Sequence, residues 1–577
     1  MSILYTCLIF GKLPRMARSP GFRAFKRALQ RAVLLKQHEQ HPELKRLDPV
    51  FQGRRQFLKS SVALGAAALP FTALIANCAT APQSSAGPLG AGEDPVVIIG
   101  GGLSGLTAAY RLGRAGIGCE VFEAQSRLGG RVFTHENFNS EGMFCELGGE
   151  LIDSTHEDIL GLARELGLRR DDFRPFDAQV KHHQFFFEGR RYFDADLTAA
   201  CEPIAHRLLQ DMRKVFKDFQ DPSVTYHSPT PEALRLDQVS LEQYLDSMPD
   251  VDRWVREAVN IAYLTEYGLD TGEQSCINLM MLIDPVAEHG FGIYGESDES
   301  MRIHGGNSRM VEALAKSAGA RAKINPSHRL VRIEDRGSQL LLTFDGAPGG
   351  TRVVAASRVL CTVPFSVLRE VEGLQALALT PVKRQCISTL GYGQNTKRMV
   401  GFKSRHWRER QGTLPAASGY TFTDLPSQTF WESSRAQPGK SGIMTTFLGG
   451  SAAIDPTRGS IDSILSDLEA ICPGTRSLYD GNQVLFRWPD NPFVKGSYTC
   501  PRVGQYTTLI GSPGETELGG KLLFAGEHVS VRYQGYMNGA VQTGNQAARS
   551  LIAELRGHAH AGVSDRIRGR ERQGVWA

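Results

Sequence analysis

Three glycines close to residue 100 have the spacing of a phosphate-binding loop. Gly100, Gly102 and Gly105 follow the apolar run VVII and open an amphipathic stretch. Between a strand and a helix, this spacing lets the backbone approach a pyrophosphate at the helix N-terminus. Glu123 lies about twenty residues further on, where a carboxylate can accept a hydrogen bond from a ribose hydroxyl. These residues predict a dinucleotide site, and the charge of Glu123 disfavours a ligand that carries a 2′-phosphate.

Two more groups of glycines and charged residues follow, one of them near the end of the chain. The segment AQSRLGGRVFT contains Gly130 and Arg131, and FAGEHVSVRYQGYMNGAVQTG contains Gly526 and Glu527. The first segment resembles the second fingerprint of the amine oxidases and related FAD families, and the last resembles their closing motif. This resemblance implies that Glu527, in the turn, accepts from a ribityl hydroxyl. A helix that begins near Tyr536 would set its N–H groups and its dipole beside a flavin ring that becomes anionic on reduction. These segments are therefore predicted to serve one FAD.

Together the motifs resemble those of the FAD-dependent amine oxidases, the superfamily of monoamine, polyamine and L-amino-acid oxidases. The resemblance covers residues 95 to 554 and implies an α/β fold. In that fold a doubly wound, Rossmann-like FAD domain carries an inserted substrate domain of mixed sheet and helices. The resemblance also implies FAD contacts from Gly100, Gly102, Ser104, Gly105, Glu123, Ala124, Gly130, Arg131, Gly148, Gly149, Glu150, Leu330, Gly526, Glu527, Tyr536 and Met537.

Three residues match positions beside the substrate in that family. Lys397 corresponds to the lysine that holds a water molecule at flavin N5, and Tyr498 and Tyr536 correspond to two rings that flank the flavin. Facing rings would orient an amine and exclude water from the transfer path. Ser497 stands where mammalian monoamine oxidases carry a cysteine bonded to the flavin, and serine cannot form that thioether. We therefore expect FAD to bind non-covalently.

The resemblance implies oxidation of a primary or secondary amine to an imine, with O2 reduced to H2O2, but the sequence leaves the substrate open. Glu150 and Asp153 lie where the family's chain passes towards the substrate cavity, and carboxylates there favour a cationic amine. A structural contact of Glu150 with flavin or backbone is an equal alternative. An L-amino-acid oxidase would need an arginine in the pocket, for which Arg302 is a candidate by elimination. A desaturase or porphyrinogen-type oxidase and a flavoprotein without turnover share the nucleotide motifs.

The elements that position these residues follow from hydrophobic periodicity. Residues 96 to 123 read as strand, glycine turn, helix and strand, the first unit of a doubly wound sheet. Residues 176 to 285 are predicted to be mainly helical, strands return between 329 and 364, and KLLFAGEH predicts a buried strand before the last helix. We predict an FAD domain built from residues 95–175, 300–380 and 502–556. The substrate domain is predicted to comprise residues 176–299 and 381–501.

The first sixty residues differ in charge from the remainder. They carry 13 Lys and Arg against 3 Asp and Glu, which leaves 52 basic and 58 acidic residues for the rest of the chain. A mildly acidic remainder gives no reason to expect nucleic acid as a partner. Ten cysteines without paired spacing predict neither a metal site nor a disulfide framework.

The basic N-terminus contains a candidate export signal. Arg54 and Arg55, followed by Phe57 and a short apolar run, resemble a twin-arginine signal within a leader of residues 1–81. We expect a linker at 82–94, a disordered tail at 557–577, and transfer by the twin-arginine machinery to the periplasm or the exterior. A leader that stays in the membrane as an anchor is the alternative.

Overall fold

A computed structural model describes residues 95–218, 223–282, 298–347 and 350–556. The predicted leader, linker and C-terminal tail lie outside the described residues. The described strands, in chain order, are β1 (Val96–Ile99), β2 (Cys119–Phe122), β3 (Thr134–His135), β4 (Cys145–Glu146), β5 (Arg170–Asp172), β6 (Lys181–Phe187), β7 (Arg190–Phe193), β8 (Met301–Ile303), β9 (Ala322–Asn325), β10 (Arg329–Asp335), β11 (Leu340–Ala347), β12 (Gly350–Ala356), β13 (Val359–Cys361), β14 (Asn395–Phe402), β15 (Ala417–Thr423), β16 (Thr429–Glu432), β17 (Gly442–Gly449), β18 (Tyr479–Arg487) and β19 (Leu522–Phe524).

The described α-helices, in the same order, are α1 (Leu103–Arg114), α2 (Glu157–Glu165), α3 (Arg174–Asp177), α4 (Asp194–Ala200), α5 (Glu202–Val215), α6 (Pro231–Leu236), α7 (Leu241–Asp246), α8 (Arg253–Tyr267), α9 (Ile277–Leu282), α10 (Ser308–Ser317), α11 (Phe365–Leu368), α12 (Pro381–Thr389), α13 (Gly450–Ile454), α14 (Ile461–Ile471) and α15 (Met537–Leu555).

A five-stranded parallel sheet takes its strands from widely separated parts of the chain. Its order is β19-β13-β1-β2-β9, and every adjacent pair is parallel. All four residues of β1 are buried, which accounts for its continuous apolar run, because a parallel sheet is covered on both faces. The carboxyl ends of β1, β2, β13 and β19 therefore meet at one edge, where their loops can build a common site.

Helices α1 and α15 cover one face of this sheet and pack along each other. Leu112 of α1 and Leu551 of α15 are both fully buried with the sheet residue Val121. The helices approach so closely that a Cβ atom on Gly544 would lie 2.4 Å from the Ser104 carbonyl oxygen. The close contact between α1 and α15 fixes both helix N-termini relative to the strands. The opposite face of the parallel sheet packs on the three-stranded sheet β10-β11-β12.

A second sheet of seven strands has the order β18-β14-β17-β16-β15-β6-β7. Its neighbours are antiparallel except β6 and β15, which run parallel. Helix α8 packs across β6, β15, β16 and β17. The sheet therefore presents one covered face to a helix, while β14 brings Lys397 to the site described below.

The prediction that residues 176 to 285 are mainly helical is wrong at its beginning. Strands β6 and β7 form a hairpin there and join the seven-stranded sheet. Their two-residue turn, Glu188 and Gly189, has φ values of 53° and 70°, as a tight hairpin turn requires. The described helices of this region start only at α4, after the hairpin.

The predicted α/β class is confirmed by the parallel sheet with its covering helices and by the second, mixed sheet. The parallel sheet draws on all three stretches that we assigned to the FAD domain, although the domain boundaries stay a prediction. Within the described ranges, no helix has the length and apolar character needed to cross a bilayer.

Candidate active site

The loop between β1 and α1 has the conformation that its glycines predict. Gly100 has a φ of 109°, which favours glycine. A Cβ atom on Gly105 would lie 2.0 Å from the Gly100 carbonyl oxygen, so helix and turn meet there. A Cβ atom on Gly102 would find its nearest neighbour, the Gly129 carbonyl oxygen, 3.9 Å away. Gly105 thus serves packing, and Gly102 leaves the backbone open to an approaching group.

Glu123 closes this loop from the end of β2. One carboxylate oxygen accepts from the backbone N–H of Gly101 at 2.7 Å, and the other accepts from that of Gln125 at 2.8 Å. Burial raises the pKa of Glu123, and the backbone donors act in the opposite direction. Each oxygen keeps a second lone pair, so the carboxylate can still accept from a ribose hydroxyl.

A single cavity collects Lys397, Tyr498 and all but one of the residues predicted to contact FAD. Gly105 lies beneath the loop, as its packing requires. The others all line the cavity: Gly100, Gly102, Ser104, Glu123, Ala124, Gly130, Arg131, Gly148, Gly149, Glu150, Leu330, Lys397, Tyr498, Gly526, Glu527, Tyr536 and Met537. Residues more than 400 positions apart therefore share one site, while their individual roles stay predictions.

The cavity fits an FAD at both of its helix N-termini. Within the described chain, neither α1 nor α15 has a side chain that caps its first turn, and residues of both first turns line the cavity. The hydroxyl of Ser104 is buried and has no hydrogen-bond partner among the described residues. Uncapped N–H groups and an unpartnered hydroxyl suit a pyrophosphate at α1, and the N-terminus of α15 suits an anionic ring.

Arg131 and Glu527 join the second glycine segment to the last one. Their side chains form an ion pair at 2.6 Å, and Glu527 also accepts from the backbone N–H of Gly535 at 2.6 Å. Burial opposes the ionisation of Glu527, but Arg131 and the hydrogen bonds outweigh it, so its pKa lies below the usual value. The carboxylate is thus charged, and it holds Arg131 at the wall of the cavity.

Lys397 projects from β14 into the same cavity. Its ammonium donates to the Glu146 and Gly148 carbonyl oxygens at 3.1 and 3.0 Å, and to a Glu150 carboxylate oxygen at 3.1 Å. It also lies 5.1 Å from the centre of the Trp431 ring. The lysine is therefore a buried cation with a carboxylate partner, unlike the solvated lysine that a sequence alone would suggest.

Both predicted tyrosines reach the cavity from different elements. The Tyr498 hydroxyl donates to the Glu266 carbonyl oxygen at 2.7 Å, which ties it to the end of α8. Tyr536 precedes α15, and its ring meets the edge of His156 with 5.2 Å between ring centres. The rings are thus fixed by contacts outside the cavity.

Sequence reasoning missed an aromatic wall contributed by the seven-stranded sheet. Tyr420, Trp431 and Phe447 line the cavity from β15, β16 and β17. Tyr420 and Trp431 stack with 6.2 Å between ring centres, and Phe447 meets Trp431 edge-on at 5.3 Å. No motif marks these residues, and only the alternation of rings with small residues in β15 could have suggested one of them, Tyr420.

One acidic and one basic candidate from the sequence lie outside the cavity. Asp153 is fully buried and accepts from the backbone N–H of Glu299 at 2.6 Å. Arg302 is 1% exposed and donates to the Ser433 and Arg435 carbonyl oxygens, each at 3.0 Å. Neither residue lines the cavity. The proposal by elimination that Arg302 binds a substrate carboxylate is therefore wrong, because the guanidinium is committed to the protein interior.

Ser497 donates to Asn395 at 2.5 Å and is buried at the cavity wall, with no thiol at this position to bond a flavin. We expect acid precipitation of the yellow holoprotein to release its flavin into the supernatant, because no covalent bond holds it. Absorbance of the supernatant and of the redissolved pellet measures the partition. Yellow colour that stays with the pellet would contradict the expectation.

Glu146, beside the cavity, should make stability depend on pH. It is fully buried, accepts from the Asn307 backbone N–H at 2.7 Å, and burial raises its pKa from 4.5 to about 7. The folded state thus holds the proton more tightly than the unfolded chain. The resulting stabilisation is complete below pH 4.5 and is lost as the pH rises through 7.

The variant Glu146→Gln cannot ionise, so its stability should fall less than that of the wild type between pH 5 and pH 8. Between these two pH values the free energy of unfolding of the wild type should fall by about 2.5 kcal/mol more than that of the variant, most of the equivalent of the pKa change. Urea denaturation at the two pH values measures it. Parallel pH dependences of the two proteins would rule out a titrating Glu146.

Known proteins resemble this chain over most of its length. The family model described as flavin containing amine oxidoreductase matches residues 103–552. An L-amino acid dehydrogenase of Synechocystis sp. is 24% identical over 488 residues, which are 80% of this chain and 95% of that protein. A flavin-containing amine oxidase of Danio rerio is 24% identical over 478 residues, which are 81% of this chain and 87% of that protein.

Among solved structures, cyclohexylamine oxidase from Brevibacterium oxydans IH-35A matches with a TM-score of 0.67 and 21% identity. The match covers 81% of this chain and 100% of that one. At this identity the likeness concerns the fold.

Proposed function

The chain belongs to the flavin-containing amine oxidoreductase family, whose cofactor is FAD, and we propose that it oxidises a primary or secondary amine at the α-carbon. The product imine is hydrolysed to an aldehyde and ammonia, or to a smaller amine. For a primary amine the balance is RCH2NH2 + O2 + H2O → RCHO + NH3 + H2O2. Two electrons and two protons pass from the α-carbon and the nitrogen of the amine to O2, which becomes H2O2. Water supplies the aldehyde oxygen.

When bound, FAD supplies the hydride acceptor and the path of the electrons to O2. The chain supplies the binding groups. The β1–α1 loop and Ser104 would hold the pyrophosphate, and Glu123 would hold a ribose. Arg131 would approach the pyrophosphate, and the first turn of α15 would lie on the side of the reacting ring.

The aromatic side chains would bind and orient the amine. Tyr498 and Tyr536, with Tyr420, Trp431 and Phe447 of the sheet, enclose the cavity with large rings. Such rings attract a substituted amine by dispersion and by cation–π interaction, and they exclude water from the path of the hydride. Tyr498 and Tyr536 are anchored by contacts outside the cavity, and Trp431 is anchored by Glu150 in the cavity wall, so the cavity is pre-organised for its substrate.

The observation that carries the proposal is that the Arg and Lys side chains lining the cavity are already paired with carboxylates of the protein. Among the described lining residues, Arg131, Arg329 and Lys397 each lie within 4.0 Å of a carboxylate. An L-amino acid would need a cation for its carboxylate, and these three already have partners. This favours an amine over the amino acid that is the second candidate, although one relative is an L-amino acid dehydrogenase.

Anaerobic reduction of the flavin tests the proposal. The purified holoprotein is mixed with a panel of monoamines, diamines, polyamines and L-amino acids, and the flavin absorbance near its visible maximum is followed. Bleaching by an amine is expected, followed by recovery of the colour and formation of H2O2 when O2 is admitted. Bleaching by amino acids alone would replace the proposal with the second candidate. A flavin that no compound reduces would favour a desaturase or a flavoprotein without turnover.

We also propose that the protein is exported by the twin-arginine machinery. Arg54 and Arg55 and the apolar run after them support this, and they lie outside the described residues. This route carries proteins already folded around a cofactor, which agrees with an FAD site closed by distant segments. Cell fractionation of the wild type and of an Arg54→Lys, Arg55→Lys variant tests it, and equal export of both would count against the proposal.

A further inference from the structure

The ammonium group of Lys397 has its full complement of hydrogen-bond partners within the protein. An ammonium carries three donors and no acceptor. The three acceptors are the Glu146 and Gly148 carbonyl oxygens and the Glu150 carboxylate, all between 3.0 and 3.1 Å from Nζ. Glu150 is the charged member of this set. A water molecule or a substrate could bind Lys397 only by displacing one of the three.

The Glu150 carboxylate is engaged by two donors at one of its oxygens. The oxygen that accepts from Lys397 also accepts from the indole N–H of Trp431 at 3.1 Å. The Ser433 hydroxyl also favours the ionised form of the carboxyl group. Burial opposes its ionisation, but Lys397 and Arg302 outweigh burial, and the pKa of Glu150 lies below the usual value. Glu150 is thus a charged group whose neighbours are two cations and two neutral donors.

We propose that Glu150 is the positioning residue of Lys397 and does not bind the amine of the substrate. Its position in the cavity wall suggested the opposite role, since an exposed carboxylate would attract a cationic amine. An incoming ammonium would have to share the carboxylate with Lys397, which is already in ion-pair contact and desolvated, and with the indole N–H of Trp431. The inference rests on the proposed function for the identity of the substrate, but the contacts that carry it do not depend on a substrate.

Trp431 extends this arrangement to the aromatic wall. Its indole both donates to Glu150 and lies beneath the Lys397 ammonium, 5.1 Å from the ring centre. The carboxylate therefore fixes the position of the Lys397 ammonium relative to the Trp431 ring in the cavity wall. Loss of the charge of Glu150 should displace Lys397. It should affect the binding of an amine only as a consequence of that displacement.

Competitive acetylation of the holoprotein tests the contact without any turnover. The protein is treated with trace acetic anhydride at pH 8, and acetylation of each lysine is measured by mass spectrometry. The Lys397 amine is held less tightly once its charged partner becomes a neutral amide, so Glu150→Gln should raise the labelling of Lys397 by about threefold or more. Lys383 is a matched internal control. It is also buried and donates to the Pro513 and Glu515 carbonyl oxygens, outside the Glu150 cluster.

The expected result is a higher ratio of Lys397 to Lys383 labelling in Glu150→Gln than in the wild type. An unchanged ratio would overturn the proposal, including the case in which both lysines react faster because the protein has loosened. If Glu150→Gln does not yield holoprotein, Glu150→Asp, which keeps the charge but shortens the reach, is compared in the same way.

A double-mutant cycle separates positioning from substrate binding. Anaerobic reduction by the best amine of the panel gives a limiting rate and an apparent Kd for the wild type, Glu150→Gln, Lys397→Met and the double variant. We expect Glu150→Gln to change the limiting rate by about tenfold in the wild-type background and by less than about twofold in the Lys397→Met background. Its effect on the apparent Kd should stay below about threefold in both.

An increase of about tenfold or more in the apparent Kd that persists in the Lys397→Met background would assign Glu150 to the substrate and overturn the proposal. Rate effects of equal size in both backgrounds would also overturn it, since they show no coupling to Lys397. A panel in which no amine reduces the flavin would defeat the proposed function instead, and the acetylation ratio would still decide the role of Glu150.

Discussion

The variant Gly105→Ala is expected to purify without FAD, with affinity for added FAD lowered by about a hundredfold, or about 3 kcal/mol. Alanine is a better helix former than glycine, so its effect on α1 alone would be favourable by about 1 kcal/mol. At residue 105, however, the new Cβ atom would lie 2.0 Å from the Gly100 carbonyl oxygen and 3.2 Å from Ile98. Backbone on both sides must separate, which moves the glycine turn away from the helix N-terminus.

The chain offers a matched control in Gly161. It also lies inside a helix, α2, and a Cβ atom there would meet nothing within 4 Å. Gly161→Ala should keep its flavin and be slightly more stable than the wild type, by up to about 1 kcal/mol. The ratio of flavin to protein absorbance and a titration with FAD compare the two. Full flavin content in Gly105→Ala would contradict the prediction, because it would show that the glycine turn can move away from the new Cβ atom without losing FAD.

The second large effect is expected for Glu527→Ala, which should lose FAD and be destabilised by about 3–5 kcal/mol. The side chain is buried, and its loss removes the partner of Arg131 and leaves the Gly535 backbone N–H without its acceptor. Breaking a buried pair from one side is costly because the remaining charge stays in a poorly solvated place. Since Arg131 forms part of the cavity wall, its displacement also disturbs the cofactor.

Glu165→Ala provides the comparison for a more exposed ion pair. Glu165 contacts Arg111 at 2.7 Å, but its side chain is 26% exposed. Removing it should cost less than about 1 kcal/mol and leave the flavin content unchanged. Urea denaturation and flavin content are measured on both variants and the wild type. Equal losses for Glu165→Ala and Glu527→Ala would argue against a special role of the buried pair.

Much of the nucleotide end could be predicted because its chemistry is local. The spacing of Gly100, Gly102 and Gly105, followed by Glu123, encodes a turn, a helix start and a strand end within 24 residues. Such a unit needs little information from the rest of the chain. The C-terminal motif was predicted for the same reason, since Gly526 and Glu527 lie directly between a buried strand and a helix.

The substrate end was harder because its groups meet only through long-range pairing. The rings of Tyr420, Trp431 and Phe447 come from three strands whose neighbours are set by sheet order. The link between Lys397 and Glu150 spans 247 residues, so the choice between a substrate role and a structural role stayed open in the sequence. Hydrophobic periodicity also failed at β6 and β7, where tertiary pairing decided the structure of a short apolar run.

The order of the strands in the parallel sheet has a consequence for biosynthesis. β19 is one of the two edge strands, and it enters the sheet beside β13, while α15 packs on α1 from the first βαβ unit. A ribosome must therefore release nearly the whole polypeptide before the cavity has its last wall. Flavin loading is thus a late, post-translational event, and a nascent chain that stops before residue 522 exposes an unfinished sheet edge to chaperones.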